Sequence, residues 1–202
     1  MATDTPRDGR QRDESGAPLD HGWFINGIEA LSEFFGKVSV WLVVPTILMG
    51  FVNVVLRRVG ASVHQQLTSN ALIEGQWYLY SLIFLLAFAY ILKNQVNVRV
   101  DFWFANRSEK TKALIDFVGH LIGLIPFCVI GIWVSINPIV FSWKIKEGSP
   151  DPSGLPRYPI KTVILVAFVL LSLQTLAEMI KLVRVLRGKE HYDVSKAPVR
   201  VE

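Results

Sequence analysis

Apolar residues dominate four stretches of the chain, at residues 38–56, 76–92, 114–136 and 162–180. At 1.5 Å per residue, helices of these lengths extend about 26–35 Å, close to the roughly 30 Å hydrocarbon core of a bilayer. A helix on the surface of a soluble protein keeps a polar face, and these stretches have almost none. The pattern therefore predicts an all-α integral membrane protein with four transmembrane helices. One chain of 202 residues is too small to enclose much of a pathway alone.

A different periodicity precedes the first span. In HGWFINGIEALSEFFGK, Trp23, Phe24, Ile28, Leu31, Phe34 and Phe35 recur at helical spacing, while Asn26, Glu29, Glu33 and Lys37 fill the opposite face. This predicts an N-terminal amphipathic interfacial helix, with a plain extension of the first span as the alternative. Its acidic residues favour a protein partner over anionic lipid. Residues 1–20 hold no apolar core of a signal peptide and are polar and mixed in charge, as is the stretch 187–202. The expected organisation is a disordered cytoplasmic tail (1–20), a four-helix membrane domain (21–186) and a second cytoplasmic tail (187–202).

The basic residues set the orientation. Fifteen of the 21 Lys and Arg fall in the N-terminal segment, the loop between spans 2 and 3, and the C-terminal segment; six fall on the other side. The positive-inside rule then places both termini in the cytoplasm, an N-in/C-in topology. The net charge of +4 follows this sidedness and does not indicate nucleic-acid binding.

Polar residues at the span ends are the candidate contact positions. Asn53 and Arg57 lie four apart, on one helix face. Arg57 can reach the headgroups, while Asn53, a turn further in, needs a partner from its own bundle or from another subunit. Glu74 precedes span 2 and faces the positive end of its dipole. Trp77, Tyr78 and Tyr80 form an interfacial belt, and Ser69 or Asn70 suits the helix cap. Between spans 2 and 3, an amphipathic segment sets Arg99 and Asp101 within reach of each other along the interface, and Ser108 opens span 3. Asp116 and His120 in span 3 read as an interfacial carboxylate and a histidine bonded within the bundle. Asn137-Pro138 predicts an end or a sharp kink in that helix. The loop WKIKEGSPDPSGLPRYPIK is Pro-rich and turn-rich, which makes it and Arg157 the natural external contact. In span 4, Lys181 neutralises Glu178 three residues earlier. Cys128, the only cysteine, reads as a small packing residue.

Catalytic signatures are missing from the sequence. There is no phosphate-binding glycine loop, no nucleophile elbow and no His/Glu zinc spacing. His120 is the only intramembrane histidine, which argues against bis-His haem ligation within this chain. The residues thus favour an assembly subunit without catalytic, cofactor or metal sites. A redox-enzyme anchor and a small self-sufficient carrier remain the other readings.

Four segments in order carry a family resemblance: NVVLRR (53–58), EGQWYLYSLIFLLAFAYILK (74–93), NVRVDFWF (97–104) and GLPRYPIK (154–161), the last followed by a span containing LQTLAEMIK. Over roughly residues 35–186, the chain resembles the DctQ-like small membrane subunit of the tripartite ATP-independent periplasmic (TRAP) transporters. The resemblance implies a partnership with a large DctM-like membrane subunit and a periplasmic DctP-like solute-binding protein, in the bacterial inner membrane and in contact with membrane lipid. It implies sodium-coupled uptake of an organic acid, with sodium and substrate held by the large subunit and no cofactor here. The small subunit would brace the large subunit's scaffold and contribute to docking of the binding protein. Asn53, Arg57, Glu74, Trp77, Arg99, Asp101 and Arg157 are then the assembly or docking candidates. Asn97 stands where the family commonly has a histidine, which argues against a proton-linked role at that position.

Overall fold

A computed structural model describes residues 22–95 and 108–188. The described residues form four long helices: α1 (Trp23–Ser62), α2 (Asn70–Lys93), α3 (Glu109–Lys144) and α4 (Tyr158–Leu186). All four are long and apolar enough to cross a membrane. The start of α1, the end of α2, the start of α3 and the end of α4 share one end of the bundle, here the terminal end. The opposite, loop end carries the α1–α2 and α3–α4 connections.

The helices are not packed as a closed square. α4 is central: it meets α2 on one side and α3 on the other, while α1 lies along α2 and touches α4 near its own beginning. Burial follows this order. Of the most apolar 18-residue window, 39% is buried in α4 but only 6% in α1 and in α3. The outer helices thus turn broad rows such as Trp41, Val44, Ile47, Leu48 and Phe51, or Ile122, Val129, Ile130 and Trp133, away from the chain. In water such surface would drive aggregation; in lipid it is the expected exterior.

Small residues let the inner seams close. Gly36 of α1 lies against the Tyr90 ring of α2, and a Cβ there would come within 2.8 Å of the Tyr90 Cβ. Leu86 and Ala89 of α2 meet Leu170 of α4, with Phe35 and Val38 of α1 beside them. Cys128 of α3 is buried between Leu92 and Leu171, as a packing residue should be. Without a hydrophobic driving force in lipid, such close approaches gain dispersion energy over long seams. Hydroxyls within the helices are satisfied locally: Thr46, Ser81, Ser172 and Thr175 each donate to the carbonyl four residues earlier.

Two expectations change. The amphipathic N-terminal segment is helical, but it runs unbroken into the first span as one helix of 40 residues. It is an extension of α1, and its buried face (Ile25, Ile28, Ser32, Gly36) packs inside the bundle. The third helix does not end at Asn137-Pro138 but continues to Lys144. A membrane helix tolerates the lost N–H because local adjustments re-satisfy the freed carbonyl. A departure from α-helical geometry lies earlier, in a π-helical turn, His120–Leu124, just before Pro126. One extra residue in that turn relieves the proline ring's clash with the carbonyl four residues before it. The expected 1–20 tail, the amphipathic segment with Arg99 and Asp101, and most of the 187–202 tail lie outside the described residues.

Candidate functional site

Polar side chains gather at the two ends of the bundle. At the loop end, Glu74 anchors the α3–α4 connection, residues 145–157. Its carboxylate accepts hydrogen bonds from the Ser149 hydroxyl and, at 2.5 Å, from the Leu155 N–H. The Arg157 guanidinium stands 4.0 Å away. The residue is 5% exposed, so this carboxylate faces the loop rather than solvent. Glu74 is the fifth residue of α2, past the first turn, and its partners are loop groups more than the helix dipole. Tyr78, one turn on, donates to the Pro156 carbonyl at 3.1 Å, and the Asn70 amide donates to the Pro152 carbonyl at 3.1 Å. Ser69 occupies the cap position of α2 but makes no side-chain capping bond.

The same loop is tied to its own flanking helices. Glu147 accepts from the Ser142 hydroxyl at 2.7 Å and pairs with Lys161. These contacts, Lys161 first, hold its carboxyl below the ordinary glutamate range. The Arg157 N–H donates to the Glu147 carbonyl at 2.8 Å. Trp143 donates from its indole to Thr162 at 2.8 Å and stacks edgewise on Tyr158. Only glycine fits at 154, where a Cβ would lie 2.6 Å from a Glu74 oxygen and closer still to Ser149.

At the terminal end, a buried ladder joins α1 to α4. Ser32 donates to the Gln174 side-chain oxygen at 2.7 Å, and the Gln174 amide donates to Glu178 at 2.9 Å. Lys181 reaches Glu178 at 2.9 Å and also pairs with Glu29 of α1. Beside it, Lys93 of α2 binds Glu33 of α1 at 3.0 Å, and Glu33 also meets Lys37 at 3.0 Å. The Glu178–Lys181 pair is as its spacing predicts. Ser32, Glu29 and Lys93 as its neighbours were not legible, since their partners lie 60 or more residues away in sequence. The acidic face of the N-terminal segment, read as a surface for an outside protein, thus meets lysines of this chain.

The remaining candidates are separate. Asn53 leaves its side-chain oxygen buried and without a hydrogen-bond partner. Arg57 and Trp77 are exposed at the loop end. Of the five named positions among the described residues, the structure pairs Glu74 with Arg157. Arg99 and Asp101 fall outside the described residues. His120 is hydrogen-bonded to the Asp116 backbone carbonyl at 2.6 Å, within the helix. Between the two polar ends, the described contacts are the apolar seams around Leu86 and Cys128. Among the described residues, no three His, Cys, Asp or Glu side chains are grouped to hold a metal ion.

Four membrane-length helices, joined by apolar seams and pinned by ion pairs at both ends, define a multi-pass helical membrane protein. Residues 35–185 match the family model described as "Tripartite ATP-independent periplasmic transporters, DctQ component". The chain belongs to this family and is the small subunit of a TRAP transporter, a transporter component and not a member of an enzyme family. No curated protein and no solved structure matches it.

Proposed function

We propose that this subunit is a rigid brace: it holds the scaffold of a large DctM-like subunit in the bacterial inner membrane. Its loop end would help to dock a periplasmic DctP-like binding protein during sodium-coupled uptake of an organic acid. The observation that carries this reading is the division of labour in the chain. Ionic groups at both ends are paired within the chain, while α1 and α3 turn wide apolar faces outward. A body built so has surface to offer a membrane partner and few polar groups to offer a solute. Sodium and substrate sites belong to the partner in this reading.

Reconstitution tests it. Liposomes carrying the large subunit, this chain and the binding protein should accumulate an organic acid down a sodium gradient; liposomes carrying this chain alone should not. Accumulation by this chain alone would reject the brace.

A further inference from the structure

An aromatic belt marks the membrane surface at the loop end. Trp77 of α2 is exposed, and its neighbour Tyr78 bonds the Pro156 carbonyl just before α4. Trp143 of α3 is exposed too, and meets Tyr158 and Thr162 in the first two turns of α4. Two helices thus set an indole at one height, and indoles favour the level where headgroups meet hydrocarbon. α1 reaches that height well before its own end. A Cβ on Gly50 would lie 2.8 Å from the Gln76 amide nitrogen, and one on Gly75 would lie 3.0 Å from the Met49 sulfur. Residues 49 and 50 are therefore level with 75 and 76, next to Trp77.

Beyond that level α1 continues unbroken to Ser62. At 1.5 Å per residue, Arg57 stands about 10 Å past Gly50 and Ser62 about 18 Å past it. The headgroup layer on one side of a bilayer is only about 5–7 Å deep. The last two turns of α1 thus project clear of lipid.

Their surface is not one that water favours. Val54, Val55, Arg58 and Val59 are all exposed and share one outward face, with Arg57 exposed at its edge. Neither guanidinium has an ion pair or hydrogen bond among the described residues. The acids of the loop end are occupied elsewhere: Glu74 holds Ser149, Leu155 and Arg157, and Glu147 holds Ser142 and Lys161. Residues 57–74 and 144–161 together carry six Lys and Arg against three Asp and Glu, so this end presents net positive charge. A lipid phosphate could take one arginine, but it gives the valines beyond the headgroups nothing apolar to meet. Apolar side chains beside unpaired arginines fit a protein interface.

We propose that the projecting end of α1 docks an acidic face of the periplasmic binding protein. Carboxylates of that protein would pair with Arg57 and Arg58, and an apolar border beside them would cover Val54, Val55 and Val59. The inference rests on the docking role proposed above and adds its chemistry and a second contact, across α2 from the loop that carries Arg157.

The test measures the affinity of the binding protein for nanodiscs holding the large subunit and this chain. Arg57→Glu/Arg58→Glu should weaken binding roughly tenfold at low ionic strength, mostly through the on-rate, and the deficit should shrink as salt rises. Both side chains are exposed, so assembly with the large subunit should be unchanged. Val55→Ser/Val59→Ser should weaken binding several-fold at any salt, and a photo-crosslinker at position 59 should capture the binding protein. Unchanged affinity in the charge-reversed variant, or capture of the large subunit or of lipid instead, overturns the α1 site. Either result leaves docking through the 145–157 loop standing, whereas a wild-type complex that fails to bind the binding protein would remove both.

Discussion

The two polar ends of this bundle hold charge in different ways. At the loop end, Glu74 collects a hydroxyl, a backbone N–H and a guanidinium from a single loop. That carboxylate orders an irregular segment by satisfying its backbone. At the terminal end, Ser32, Gln174, Glu178, Lys181 and Glu29 link side chain to side chain across two helices that are already rigid. The first arrangement shapes a surface, and the second sets how α1 sits against α4. Buried ion pairs are poor sources of net stability but severe when broken, because the remaining charge has no solvent. The terminal end should therefore be the more sensitive to single substitutions, and the loop end the more sensitive to function.

The largest expected effect is at Lys181. Lys181→Met leaves Glu29 and Glu178 facing each other without the cation between them, and should cost about 3–5 kcal/mol. Thermal unfolding of the purified chain in detergent measures it; an unchanged midpoint would show that the ladder carries no stability. Next is Gly154→Ala. Its methyl would collide with Ser149 and Glu74, so the loop must shift, at about 1–3 kcal/mol. Cross-linking between cysteines placed at 70 and 152 reports whether the loop leaves α2.

Arg157→Gln separates docking from folding. Because Arg157 stands beside Glu74, a reversed charge would disturb the loop itself, whereas Gln keeps a hydrogen-bonding group. Transport by the complete complex should fall several-fold through weaker capture of the binding protein, with assembly intact. Unchanged uptake at limiting binding protein would count against a docking role.

The smallest effect is a pH dependence at Glu147. Its folded pKa lies below the ordinary value because Lys161 and Ser142 bind the charged form. Its contribution is therefore present above the unfolded value and fades as pH falls through the lower, folded one. Limited proteolysis of the 145–157 loop should rise with acidification below about pH 4.5, and Lys161→Ala should weaken that dependence, with Ser142 still bound to the carboxylate. A loop equally protected across this range in wild type would exclude the Glu147 contribution.

How much was visible beforehand depended on the range of each interaction. The four spans were legible because lipid imposes a length and a composition on every crossing segment. Glu178 with Lys181, and Cys128 as packing, were legible because one depends on helical spacing and the other on an apolar neighbourhood. The Pro-rich loop was recognisable as turn-rich and rigid, but its anchor was not. Glu74 reads equally well as a helix-end carboxylate, and nothing local says that Ser149 and Leu155 will reach it from 75 and 81 residues away.

Hydropathy and ordered local motifs are properties of contiguous residues, and they suffice to mark this as a chain of the DctQ family with four membrane-length helices. Only the packing of the helices makes α4 central, makes the N-terminal segment a continuation of α1 and turns its acids onto Lys93 and Lys181. The physical reason is that an apolar helix can bury almost any of its faces in lipid or protein at similar cost. The choice among them is made by small residues and a few polar pairs that meet only once the helices have assembled.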